Sequence, residues 1–302
     1  MADPYHRGEL EVQEQAGVRE EAARIGRSIH DSIAHRFVDF LEHQPMAILG
    51  AAGTDGRVWA SLLGGPPGFL KVVDERTLRV STLPGEGDPL RGHLAEGREV
   101  GLVVIEFATR RRLRLNGQVA AGDGGFTLQT RQVYANCPRY IQARSCEPGG
   151  AGAQAPRVAR RAAALGEELQ QWIRGADTLF IASAHPSGGA DASHRGGFPG
   201  FVQVVDERTH TWPDYDGNRM FNTLGNIAEH PAVGLLFLDF ERGRTLQLSG
   251  AARTSWEPER AASYPGAQRL VDFALEEVVV TENATSLRWR FLDYSPDNPW
   301  IC

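Results

Sequence analysis

Apolar and polar positions along the chain follow two different periods. From residue 9 to 43, Val18, Ala22, Ile25 and Ile29 recur three and four apart, and Ile33, Phe37, Phe40 and Leu41 continue the stripe. That is the period of one helix face, and it predicts two helices. From Met46 the apolar residues come instead as short runs broken by glycine, at 46–52, 57–63, 68–73, 77–81, 100–107 and 111–119. Five or six such runs with turn residues between them predict an antiparallel barrel or sandwich. Short helices are expected at His93 to Glu96 and at Gly225 to His230. Residues Gly149 to Pro156 read as a flexible linker and Val158 to Ile173 as a helix. Strands follow at Thr178 to Ser183, Val271 to Thr281 and Ser286 to Leu292.

The second set of strands repeats the first. Residues 64–77 return at 196–209 with 11 of 14 positions identical and a spacing of 132, and Gly101 to Phe107 return as Gly234 to Phe240 at a spacing of 133. A period this long means two complete domains, because solenoid units repeat every 20–50 residues or so. The expected organisation is a helical segment over 1–43, a first barrel over 44–146, a linker and helix over 147–176, and a second barrel over 177–302.

Composition narrows the class. With 302 residues, 41% hydrophobic and 23% charged, the chain can bury two cores. No apolar run approaches the length of a membrane span, and the N-terminus lacks a secretory core, so a cytoplasmic protein is expected. A net charge of −6 argues against a nucleic-acid partner. Lys71 is the only lysine, which leaves one candidate for amine catalysis in a polar strand position. Cys137, Cys146 and Cys302 have neither disulfide-framework nor zinc-ligand spacing. His185, His194 and His210 have no helical ligand spacing either, so no metal is expected.

The two copies differ in one respect that bears on function. Where the first reads Thr82 to Arg91, rich in proline and glycine, the second carries the compact donors Asn218, Arg219, Asn222, Thr223 and Asn226 just where a short helix begins. Unpaired N–H groups at a helix start favour an anion. Asn-rich loops also serve simply as turns and caps. A second substitution acts against that bland use: Asp191, Ser193, His194 and Arg195 face Trp59, Ser61, Leu62 and Leu63 of the first copy. Polar residues gathered at two places in one copy predict a single ligand site there, with His194 as a candidate proton donor. Tyr215 and Trp212 are either ring-stacking or core aromatics.

At these residues the chain resembles the pyridoxamine 5′-phosphate oxidase-like superfamily of FMN-binding split barrels, in its larger tandem branch. The resemblance rests on Asp191 to Phe201, Asp214 to Asn226, Asn136 to Gln142 and Met46 to Phe69. It implies a mainly β protein with flanking helices, in which two split barrels form a pseudo-dimer within one chain and FMN lies in the groove between them. The family's Arg-Lys phosphate clamp is replaced by Asn222 and Thr223, leaving Arg219 and Arg195 nearby. Residues 244–250 match the strand that touches the flavin, which places Gln247 near the ring together with Asp191, Ser193 and His194. In the first copy the same face carries Arg112 and Arg114, either a solvated strand face or an anion-holding one. The family's C-terminal Arg-x-His substrate motif is absent, so pyridoxamine phosphate oxidation is not expected.

The resulting expectation is an FMN-dependent oxidoreductase acting on a small molecule, with a nicotinamide or protein electron donor. Asn218, Arg219, Asn222, Thr223 and Asn226 with Arg195 hold the cofactor, and the molecule is a monomeric pseudo-dimer or a homodimer. Two alternatives stay open: a non-catalytic flavin- or haem-binding protein, and a flavin-independent enzyme that reuses the cleft.

Overall fold

The computed structural model describes residues 3–122, 124–147, 155–186 and 189–300. The sequence repeat becomes two antiparallel sheets. The first contains β1 (Met46–Ala52), β2 (Val58–Gly64), β3 (Leu70–Asp74), β4 (Thr77–Val80), β5 (Glu99–Glu106), β6 (Arg111–Gly122) and β7 (Gly125–Ala135), in the order β2-β1-β5-β6-β7-β4-β3. After β8 (Ala143–Glu147) and β9 (Arg157–Ala162), the second contains β10 (Thr178–His185), β11 (Gly189–Gly196), β12 (Gln203–Val204), β13 (Thr209–Tyr215), β14 (Ala232–Asp239), β15 (Arg244–Ser255) and β16 (Ala267–Glu282). Its order, β11-β10-β14-β15-β16-β13-β12, is the first one nine strands on. Register repeats too. Leu49 faces Ser61 as Ile181 faces Ser193, and both long hairpins carry a bulge, at Asn116/Gly117 and at Ser249/Gly250. The sheets curl but do not close, so these are split barrels.

The continuous apolar runs are explained by burial on both strand faces. In β1, Ala47, Leu49 and Ala51 point into the first barrel's core, while Met46 and Ile48 join a core shared with Phe180, Ala182, Ala192 and Leu236 of the second barrel. Each fully buried aliphatic side chain there contributes roughly 1.5–3 kcal/mol. The two barrels pack about a pseudo-two-fold axis. A Cβ added to Gly101 would lie 2.5 Å from the Asp191 Cα, and one added to Gly234 would lie 2.4 Å from the Trp59 Cα. Trp59 and Asp191 are themselves equivalent by the 132 spacing. These repeated glycines mark where one backbone crosses the other.

Several elements differ from the sequence expectation. The N-terminal stripe forms three α-helices rather than two, α1 (Arg7–Gln15), α2 (Arg19–Gly26) and α3 (Val38–His43). Residues 158–162, expected in a helix, lie in β9, and α4 (Glu167–Gly175) starts later. The cause is an open edge: β13 pairs with β16 only over 267–274, and β9 takes the backbone groups of 278–282. The short helix exists only in the second copy, as α5 (Asn222–Glu229); His93 to Glu96 lie between Gly92 and Gly97, both at positive φ, and form turns. Strands β7 and β8 carry no run long enough to announce them. α6 (Pro258–Ala262) and β17 (Arg288–Asp293) complete the chain, and β17 pairs with β8. Most of the expected linker, residues 148–154, lies outside the described residues.

Candidate functional site

The pseudo-two-fold places β11 of the second barrel opposite β6 of the first. In that cleft Ser193, His194 and Arg195 meet Arg112 and Arg114 across a cavity of about 200 Å³. Asp214 and Tyr215 at the end of β13, the loop from Asn218 to Phe221 and the first residues of α5 form one wall. Asn136, Cys137 and Tyr140 form another, and Ala16 and Val18 from the α1–α2 turn close the top.

Two guanidiniums define its electrostatics. Arg112 donates from Nη1 to His194 Nδ1 (2.9 Å) and from Nη2 to Cys137 Sγ (3.8 Å). Arg195 donates to Ser193 Oγ (2.8 Å) and to the His194 carbonyl (3.1 Å). Neither forms an ion pair with a carboxylate among the described residues; Asp214 acts on Arg195 only from further away. Burial pulls Arg112 down to about 10, with Cys137 opposing the shift and Arg195 adding to it. Arg114 by contrast is neutralised by Asp191 in a buried pair that bridges the barrels, and Arg269 by Asp214 at 3.5 Å.

His194 is 3% exposed, and burial followed by the charges of Arg112, Arg195 and Arg144 holds its pKa well below the ordinary value. The ring is therefore neutral. Because Arg112 can only donate, Nδ1 accepts and the proton sits on Nε2, which is buried without a partner. A neutral N–H can orient a ligand, but the ring is a poor cationic acid.

The loop donors are distributed less simply than their spacing suggested. Arg219 and Phe221 both adopt left-handed backbone, at φ 59° and 62°. Each costs on the order of 1–3 kcal/mol unless its surroundings impose it. Arg219 pairs with Glu21 and Asp216, and Asn218 Oδ1 accepts from the Met220 N–H. Asn222 Nδ2 donates to Glu9 Oε1 (2.5 Å), and Asn226 donates to Ser183 Oγ (2.9 Å) while facing His6 Nε2 (2.8 Å). Thr223 Oγ1 is left buried and unpartnered. Helix α1 and its N-cap His6 thus engage two of the five residues, Asn222 at its amide nitrogen and Asn226 at its amide oxygen.

Of the predicted site residues, Ser193, His194, Arg195, Asn218, Arg219, Asn222 and Thr223 line this cavity. Asp191 and Asn226 line a neighbouring one of about 330 Å³, reached past the Arg114–Asp191 pair. Gln247 is not brought to either. It donates to the Ala60 carbonyl (2.9 Å), Ser61 Oγ (3.2 Å) and Asp88 Oδ2 (3.0 Å) in the first copy's cleft. The reason is the crossing: β15 faces β2, just as β6 faces β11. Arg112 and Arg114, which alternation alone left ambiguous, sit where Gln247 was expected, and the 133 spacing that equates Arg114 with Gln247 was the signal. Glu9 had no sequence signal. It is 3% exposed, and burial raises its pKa to about 7 despite hydrogen bonds from His6 N–H and Asn222.

His6, His185 and Glu229 place one ligand atom each within 4.8 Å of one another. The imidazoles are stacked at 4.2 Å and 20°, His6 Nδ1 already accepts from the Gly8 N–H, and Nε2 faces Asn226. Stacked rings do not aim two lone pairs at one point, so this cluster docks α1.

The model of the pyridoxamine 5′-phosphate oxidase family matches residues 33–142 and again 165–286. The chain belongs to this family. The two matched segments coincide with the two halves of the repeat. Solved structures similar to it include a putative pyridoxamine 5′-phosphate oxidase from Lactobacillus delbrueckii (18% identity, 38% of this chain and 93% of that one, TM-score 0.32). HupZ from Group A Streptococcus is similar at 16% identity (37% and 90%, TM-score 0.31), and an FAD-binding protein from Mycobacterium smegmatis at 14% (40% and 98%, TM-score 0.28). No curated protein matches the chain. Among the described residues, no helix is long and apolar enough to cross a membrane.

Proposed function

We propose that this member of the family is an FMN-dependent oxidoreductase with one flavin site, in the cleft between β11 and β6. The observation that carries this reading is the pair Arg112 and Arg195: two adjacent guanidiniums with no carboxylate partner, one from each barrel. Such a pair is unfavourable unless an anion joins it, and a phosphate dianion matches both charge and fork geometry. The family's Arg-Lys clamp is thus replaced in trans by a residue of the opposite barrel.

In this scheme Arg112, Arg195, the Thr223 hydroxyl and Asn218 hold the phosphate. Ser193 and the Nε2–H of His194 are the donors available to the ring edge, with Asp191 beyond them, and the α1–α2 turn excludes water. Bound flavin supplies hydride or electron transfer, so the protein's contribution is position and electrostatics. Substitutions here act chiefly through cofactor occupancy.

A second reading is favoured by the cavity itself. At about 200 Å³ it is smaller than the 300–1,000 Å³ or so of most ligand sites, and α1 already holds Asn222 and Asn226. A protein that binds a smaller anion, or holds a planar ligand without turnover, has the same charges. The absorption spectrum of the purified protein with added FMN separates the two. A flavin band that bleaches with a reduced nicotinamide or another reductant supports the first. A colourless protein that leaves FMN free after gel filtration rejects it.

A further inference from the structure

We propose that Cys137 is an oxidation-sensitive thiol of the polar cleft, which a hydroperoxide converts to a sulfenic acid whose anionic form competes with a bound anion for Arg112. Its position carries the proposal. The Arg112 guanidinium bridges Cys137 and His194, with Nη2 on the sulfur and Nη1 on the imidazole. Cys137 is half-buried, lines the cavity and is not in a disulfide. Independently of the cysteine, the buried Nε2 of His194 and Oγ1 of Thr223 in the same cavity have no partner, which marks a place built to receive a polar ligand.

The sulfur lone pair attacks one peroxide oxygen and the O–O bond breaks. Sulfur loses two electrons and becomes Cys–SOH. The departing oxygen takes the proton released by the thiol and leaves as water or an alcohol. Arg112, with Nη2 on the sulfur, faces the negative charge that develops on the departing oxygen beside it. Cys146 is the internal control: more exposed, yet pushed up to about 11 by burial and Glu147. Cys302 lies outside the described residues.

The test uses the full chain, stripped of flavin, treated with hydrogen peroxide and a cyclic diketone that traps sulfenic acids, with each cysteine peptide followed by mass spectrometry. Cys137 is expected to label roughly tenfold faster than Cys146. Arg112→Gln should slow Cys137 severalfold, Arg112→Lys should keep most of the rate, and inorganic phosphate should protect. Equal labelling of the two cysteines overturns the proposal. So does a Cys137 rate unmoved by Arg112→Gln in a folded protein, or one lost equally in Arg112→Lys. The competition rests on the anion reading above, but labelling does not: a protein that takes up no FMN yet labels selectively at Cys137 keeps the thiol assignment and removes the flavin.

Discussion

Arg112 and Arg195 show how a residue's meaning depends on what faces it. In sequence Arg112 sits on an alternating strand, where a solvated role and an anion-holding one are equally open, and Arg195 is expected at the cofactor. In the fold their guanidiniums converge on His194 and Cys137, and neither forms an ion pair with a carboxylate among the described residues. A charge-assisted hydrogen bond is worth about 1.5–3 kcal/mol, so Arg112→Gln or Arg195→Gln should weaken FMN binding roughly 10- to 100-fold in a flavin-fluorescence titration. Unchanged affinity in both would reject the phosphate assignment. The double change Asn222→Ala with Arg219→Ala should also lower flavin retention, partly by loosening Glu9 and Glu21, whereas changing Pro89 and Leu90 in the first copy should not. Equal losses from the two pairs would mean that the site is not confined to one cleft. Asn218, Asn222 and Thr223 were legible because such donors are conspicuous before a helix. Glu9 was not, since an acidic residue on a short N-terminal helix looks like any solvated one.

Among the elements, α1 docks on α5 beside the cleft and sets the α1–α2 turn against it. The two helices touch backbone to backbone: a Cβ on Gly225 would lie 2.5 Å from Glu9 Cγ and 2.6 Å from its Cα. Gly225→Ala should therefore cost about 1–3 kcal/mol and free α1, read as faster hydrogen exchange confined to residues 3–26 and 218–229. Docking should also respond to pH. Glu9 is raised from 4.5 to about 7, so its contribution is complete below pH 4.5 and fades as the pH rises through 7. The change is on the order of 3 kcal/mol across that window. His6 shifts the other way. Burial, then His185, lowers its pKa, so its neutral ring favours docking until the pH falls below about 6.5. Where the two windows overlap below pH 6.5 the effects oppose each other, and Glu9→Gln should remove the fall in α1 protection between pH 4.5 and 7 and leave only the loss that His6 brings on acidification. A profile in Glu9→Gln that matches the parent would show that another group titrates. The helical period of this segment was readable, but its partner was not, because α5 lies more than two hundred residues away in sequence.

For the whole molecule, the joint between barrels is the most constrained feature. Gly101 and Gly234 lie where opposing backbones meet, so Gly234→Ala should force the sheets apart. A loss of at least about 1–3 kcal/mol in thermal unfolding is expected, with cavity-lining Arg112 and Ser193 displaced together. A full-stability Gly234→Ala would contradict the packing. Internal repetition, strand alternation and glycine placement determined by themselves that this chain is two copies of one antiparallel barrel or sandwich, because local periodicity and identity at fixed spacing need no knowledge of distant contacts. Only the tertiary structure decided that β6 faces β11 and β15 faces β2 across the joint, which sends Gln247 to one cleft and Arg112 to the other. It also decided that the α1–α2 turn borders the polar cleft and that β9 fills an open edge. Those outcomes depend on which surfaces meet, and that is set by burial summed over the entire joint rather than by any single stretch of residues.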